Sequence, residues 1–92
     1  MNKLMNDLPL SIFEGNTQIV DSSVFPITTI RGGDTQCERV VIQRNGTQVQ
    51  ILRHDGDNRS VMVTVGWGTQ TMPLARVAEY VKQSTNGGAQ KK

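Results

Sequence analysis

The dipeptide Asn45-Gly46 stands between two runs rich in β-branched residues, within CERVVIQRNGTQVQILRH (residues 37–54). Asn-Gly is the preferred pair for a two-residue type I′ turn, because both central positions need positive φ. Such a turn fixes a register. Arg44 then faces Thr47, Ile42 faces Val49, Val40 faces Ile51 and Glu38 faces Arg53, all on one side of the hairpin. The other side carries Gln43 opposite Gln48, Val41 opposite Gln50, Arg39 opposite Leu52 and Cys37 opposite His54. Side chains alternate with period two, so the first set forms an aliphatic patch that ends in a cross-strand ion pair. That set is expected to face the core.

The run RSVMVTVGW (59–67) alternates again, with Val61, Val63, Val65 and Trp67 in phase, and predicts a third antiparallel strand. Upstream, residues 10–20 read as a short hairpin around Glu14-Gly15-Asn16. Residues 23–30 read as a strand whose Pro26 belongs on an edge or near a strand start. RGGDTQ (31–36) reads as a loop. From Thr71 the period changes: Leu74, Val77, Ala78 and Val81 fall on one helical stripe, with Thr71 as N-cap and Pro73 in the first turn.

The fold class expected is α+β: an antiparallel sheet of four to five strands, its central meander at about 38–66, with one C-terminal amphipathic helix at about 72–83 packed on one face. Residues 1–8 read as a flexible leader, 9–84 as a single domain, and 85–92 as a disordered polar tail.

Composition limits what such a domain does. The 92 residues contain four aromatics, Phe13, Phe25, Trp67 and Tyr80, so each large side chain matters to a thin core. The formal charge is +2, but residues 9–84 sum to zero and the excess sits at Lys91 and Lys92. The body therefore has no net basic footprint of the kind that drives phosphate binding. One cysteine excludes an internal disulfide, and no Cys/His spacing matches a zinc site. The first residues lack the apolar core of a signal peptide and no segment has the length of a membrane span, so a cytoplasmic protein that makes no membrane contact is expected.

Three site readings follow from the register. The end of the sheet holding RGGDTQ and HDGDN gathers Arg31, Asp34, Cys37, His54, Asp55 and Asp57. A thiol beside an imidazole is the arrangement that activates a cysteine nucleophile, but no oxyanion pocket or cleft accompanies it. No catalytic residue is expected. Asp55-Gly56-Asp57-Asn58 lacks the spacing and terminal glutamate of a calcium loop and is better read as turn chemistry; no metal or cofactor is expected. The polar hairpin face, with Arg39, Gln43, Gln48 and Gln50 and with Arg44, Arg53 and Arg59 nearby, lacks the aromatic platforms that stack bases.

Val41, Leu52 and Met62 stand on that same face, and an apolar strip among glutamines and arginines suits a protein interface. Trp67 either closes the core beneath the helix or serves as an interface anchor at the tip of the sheet. The expectation is a small non-enzymatic binding protein that occupies a surface of a protein partner as inhibitor, adaptor or assembly subunit. A homodimer is a further expectation. By size alone it would suit a phage or mobile-element accessory protein directed at a host complex. The alternative is a nucleic-acid-binding regulator using the arginines of the hairpin face.

Overall fold

In a computed structural model of the chain, five strands form one antiparallel sheet in the order β1-β2-β3-β4-β5. The structure describes residues 3–28, 32–54, 59–66 and 68–85. The strands are β1 (Thr17–Thr28), β2 (Asp34–Arg44), β3 (Thr47–Arg53), β4 (Ser60–Val65) and β5 (Gly68–Pro73). A short helix, α1 (Leu4–Asp7), and a 3-10 turn (Leu10–Phe13) precede the sheet, and helix α2 (Leu74–Ser84) follows it.

The hairpin at Asn45-Gly46 sets the frame. Asn45 has φ 52° and Gly46 φ 82°, as a type I′ turn requires. All seven rungs of the β2–β3 ladder, from Arg44–Thr47 to Glu38–Arg53, fall in the expected register. β4 adds to β3 through Val49–Val65, Gln50–Thr64, Ile51–Val63 and Leu52–Met62. One face thus presents Val40, Ile42, Val49, Ile51, Val61 and Val63, all buried.

Helix α2 brings Val77 and Val81 onto that patch, with Leu74 and Ala78 packed beside them. Removing such aliphatic surface from water is the main favourable term, at about 1.5–3 kcal/mol per fully buried Val, Leu or Ile side chain. The stripe was legible, but its start was not. Residues 68–73 pair with β4 from Val65–Gly68 to Ser60–Pro73, so Thr71 is a strand residue rather than a cap, and Pro73 takes the cap position in extended conformation. Val65 pairs with Gly68, and Gly66 has φ 60°, so the chain has reversed by residue 68 and this segment enters the sheet before the helix begins.

The N-terminal half departs further. Residues 10–13 form a 3-10 turn instead of half a hairpin, and Thr17–Thr28 is one long edge strand with a bulge between Ile19 and Asp21. Pro26 lies on this edge strand, where its missing donor costs no ladder bond. β2 begins at Asp34, inside the expected loop. The β1–β2 ladder runs on from Phe25–Cys37 to Thr28–Asp34, beyond the last β3 rung at Arg53, so this end of the hairpin projects as a two-stranded ribbon.

Leu4, Leu8 and Ile12 join the buried cluster, so the segment expected as a loose leader is part of the core. Its backbone explains why: the Leu4 N–H donates to Glu38 Oε2 at 2.9 Å, and Asp7 meets Arg53 at 2.8 Å. At the other end Thr85 belongs to the body rather than to a tail. It is buried, its hydroxyl donates to the Val81 carbonyl at 2.6 Å, and its own carbonyl accepts from Asn45 Nδ2 at 2.9 Å. Residues 86–92, expected as a tail, lie outside the described residues.

Candidate functional site

With α1, the 3-10 turn and α2 all contributing to the cluster on the aliphatic face, the opposite face of the sheet is left without a covering helix among the described residues. The registers arrange its side chains in rows. Ser23, Arg39, Leu52, Met62 and Thr71 form one row across all five strands. Asp21, Val41, Gln50, Thr64 and Thr69 form the next, and Gln18, Gln43 and Gln48 a third.

Leu52 and Met62 are half-buried neighbours on adjacent strands, and Val41, at 6% exposure, closes the apolar centre. Gln43, Gln48, Thr69 and Thr71 are exposed around it. Thr64 and Thr69 share a hydroxyl hydrogen bond of 2.8 Å across β4–β5. The expected residues Arg39, Val41, Gln43, Gln48, Gln50, Leu52 and Met62 are therefore brought together on one surface.

Arg39 is fixed there by β1. Its Nε meets Asp21 Oδ2 at 3.0 Å, Ser23 Oγ donates to the same oxygen, and the guanidinium lies 5.6 Å from the centre of the Phe25 ring. Asp21, Ser23 and Phe25 were missed in the sequence reading. They alternate in phase at i, i+2 and i+4, and the signal was obscured by the bulge at Val20, which shifts the phase of β1 against its own first residues.

The other arginines do not join this face. Arg53 shares the parity of Ile51 and is buried, forking onto Glu38 through Nε at 2.7 Å and Nη2 at 3.2 Å while Nη1 reaches Asp7. Burial pushes the Glu38 carboxyl upward, but Arg53 and the Leu4 N–H outweigh it and hold the group below the usual carboxylate range. Arg44 also points to the helix side, where Nη1 donates to the carbonyls of Ile12 and Glu14 and to Thr17 Oγ1. Arg59 is exposed just before β4, and its carbonyl accepts from the Leu74 N–H. Of the four arginines expected to contact nucleic acid, the face holds one, already paired with Asp21.

The end of the sheet around Cys37 differs from its expected arrangement. The β2–β3 ladder stops at Glu38–Arg53, one step short of Cys37 and His54, and the cross-strand neighbour of Cys37 is Phe25. Cys37 is buried, and burial pushes its thiol up, with Arg39 pulling down and Glu38 pushing up more weakly. Activation of a cysteine nucleophile needs the opposite shift. Among the described residues no group of three His, Cys, Asp or Glu side chains is placed to hold a metal ion. Arg31, Asp55, Asp57 and Trp67 lie outside the described residues.

No family model, no curated protein and no solved structure matches the chain. No helix among the described residues is long and apolar enough to cross a membrane.

Proposed function

We propose that the protein is a small binding module that acts by covering part of a protein partner's surface with the open face of its sheet, as an inhibitor, adaptor or assembly subunit. The observation that carries this reading is the pairing of Leu52 with Met62 at the centre of a face that no helix among the described residues covers, with Val41 beside them and glutamine, threonine and a fixed arginine around them. Protein interfaces have this anatomy: an apolar centre, a polar rim and enrichment in arginine and methionine. The rigidity of Arg39 adds to it, since a guanidinium already held by Asp21 and Phe25 loses little freedom on docking.

The same observations favour protein over nucleic acid. Phosphate binding needs unpaired positive charge, and base stacking needs open rings; the face offers an arginine neutralised by Asp21, a single half-buried ring, Phe25, that this arginine already lies over, and a central pair of apolar side chains.

The test is affinity capture from the native host with the wild-type protein and with Met62→Lys. The wild type is expected to retain one protein complex whose yield changes little with salt, and Met62→Lys to lose it while keeping the wild-type circular dichroism spectrum and Tm. Equal capture by a folded Met62→Lys protein, or retention of nucleic acid that elutes as salt rises, overturns the reading.

A further inference from the structure

The two edges of the sheet are built differently. β1 carries three features that discourage pairing with another chain: a bulge at Val20, the charge of Asp21, and Pro26. β5 carries none of these before its last residue. Gly68, Thr69, Gln70, Thr71 and Met72 are uncharged and unbulged, and Pro73 ends the strand.

The hydrogen-bonding sense of β5 follows from its turn. A two-residue connection closes on a hydrogen-bonded pair, here Val65–Gly68, and such pairs recur at every second residue: Val63–Gln70, then Val61–Met72. Counting across the sheet from Arg44–Thr47 leads to the same assignment, because β3 then turns Gln50 and Leu52 toward β4, and β4 turns Val61, Val63 and Val65 toward β5. The N–H and C=O groups of Thr69 and Thr71 therefore point away from the sheet. So does the Pro73 carbonyl. Another extended backbone matches such an alternating row of donors and acceptors along its whole length.

We propose that β5 pairs antiparallel with β5 of a second copy of this chain, about a two-fold axis at Gln70, to join two five-stranded sheets into one of ten strands. In this register Thr69 of each copy lies opposite Thr71 of the other. Each strand contributes two outward donors, so two copies make four main-chain hydrogen bonds, and every outward N–H of Thr69 and Thr71 is used. A two-fold axis brings each residue near its own image, so a charged edge meets like charge; β5 has no charge to repel.

Gln70 shares the parity of Val63 and faces the helix side, so the two Gln70 carboxamides meet there, each with a donor and an acceptor for the other. Room exists for them. A groove of about 560 Å³ runs beside Gln70 between β5 and α2, walled by Met72, Tyr80 and Gln83 and by one charge of each sign, Arg76 and Glu79. The same axis sets the two α2 helices antiparallel, a favourable alignment of their dipoles. The face proposed above to meet a partner would then continue across both copies, but the pairing does not depend on that reading.

The experiment is sedimentation equilibrium across micromolar to millimolar concentrations with wild type, Gln70→Glu, Gln70→Lys and Thr71→Pro, each checked by circular dichroism for an unchanged fold. Wild type is expected to show a monomer–dimer equilibrium. Gln70→Glu and Gln70→Lys, which set like charges together on the axis, each weaken it about fivefold at neutral pH, and an equimolar mixture of the two restores or exceeds wild-type association. Thr71→Pro removes an outward donor without touching the β4 ladder and abolishes association. Hydrogen exchange adds a residue-level readout: the Thr69 and Thr71 amides gain protection with concentration, while those of Gln70 and Met72 are protected throughout. A wild type that stays monomeric, a Gln70→Glu protein that dimerises as wild type does, or a dimer broken by Val20→Lys on β1 but not by the β5 variants overturns the proposal.

Discussion

Glu38 and Arg53 face each other on the last rung of β2–β3, 2.7 Å apart, with side chains only 5% and 2% exposed. They occupy the core face of the sheet, in the same phase as Val40 and Ile51. A buried pair of this kind is tolerable only because the remaining polar atoms are also matched, here by the Leu4 N–H and Asp7.

Removing one partner should therefore be costly. Glu38→Gln is expected to lower unfolding free energy by about 3 kcal/mol, since the Arg53 charge remains buried with only Asp7 to answer it. The pH dependence has a definite sign. The Glu38 carboxyl titrates lower in the folded than in the unfolded protein, so its contribution is fully present above the unfolded value of about 4.3 and is lost as pH falls through the folded value. Urea unfolding followed from neutral pH into the acid range should show this loss in the wild type and a flatter profile in Glu38→Gln.

The N-terminal helix is expected to behave as core. Leu4→Ala should cost about 2–5 kcal/mol, the range for a buried leucine, whereas Leu10→Ala, at a side chain 78% exposed, should stay within about 0.5 kcal/mol. Denaturant midpoints of the two variants settle it. Equal, small effects would mean that residues 4–8 do not close the core.

Asn45 has two tasks that substitution separates. Asn45→Gly keeps the positive φ but loses the hydrogen bond to the Thr85 carbonyl, and should cost about 1 kcal/mol. Asn45→Ala adds the left-handed backbone penalty, a further 1–2 kcal/mol or so. The difference between the two, measured by thermal or urea unfolding, isolates the backbone contribution of the turn.

Cys37 should resist thiol reagents in the folded protein. Its sulfur is buried and its thiol is pushed up, so labelling with a chromogenic disulfide at neutral pH should proceed only as fast as the protein opens, and rise sharply in denaturant. Rapid stoichiometric labelling of the native protein would show an accessible thiolate instead.

The central hairpin was legible because one dipeptide decides it: with Asn45 and Gly46 at positive φ, parity assigns every side chain from Glu38 to Arg53, including the inward Arg44 and Arg53 that the sequence reading also placed among the partner-binding residues. β5 was not legible. GTQTMP has a single apolar member in phase, Met72, so its strand character comes from pairing with β4 rather than from its own pattern, and Thr71 with Pro73 imitates a helix start. β1 was divided in the reading because its exposed edge needs little hydrophobic alternation, and the bulge at Val20 breaks what there is. From β2 to β4 the registers place on one face the residues that the alternation predicts there, whereas the β1 border, Asp21, Ser23 and Phe25, escapes the alternation for that reason.

The ties from Leu4 to Glu38 and from Asn45 to Thr85 span 34 and 40 positions. Each fastens an outlying stretch to the middle of the chain, so neither half of the fold is complete while the other is missing. During synthesis the nascent polypeptide can form the Asn45-Gly46 hairpin early, but its last fastening waits until residue 85 has cleared the ribosome, and until then the aliphatic side of the sheet stays open to whatever chaperone meets it first.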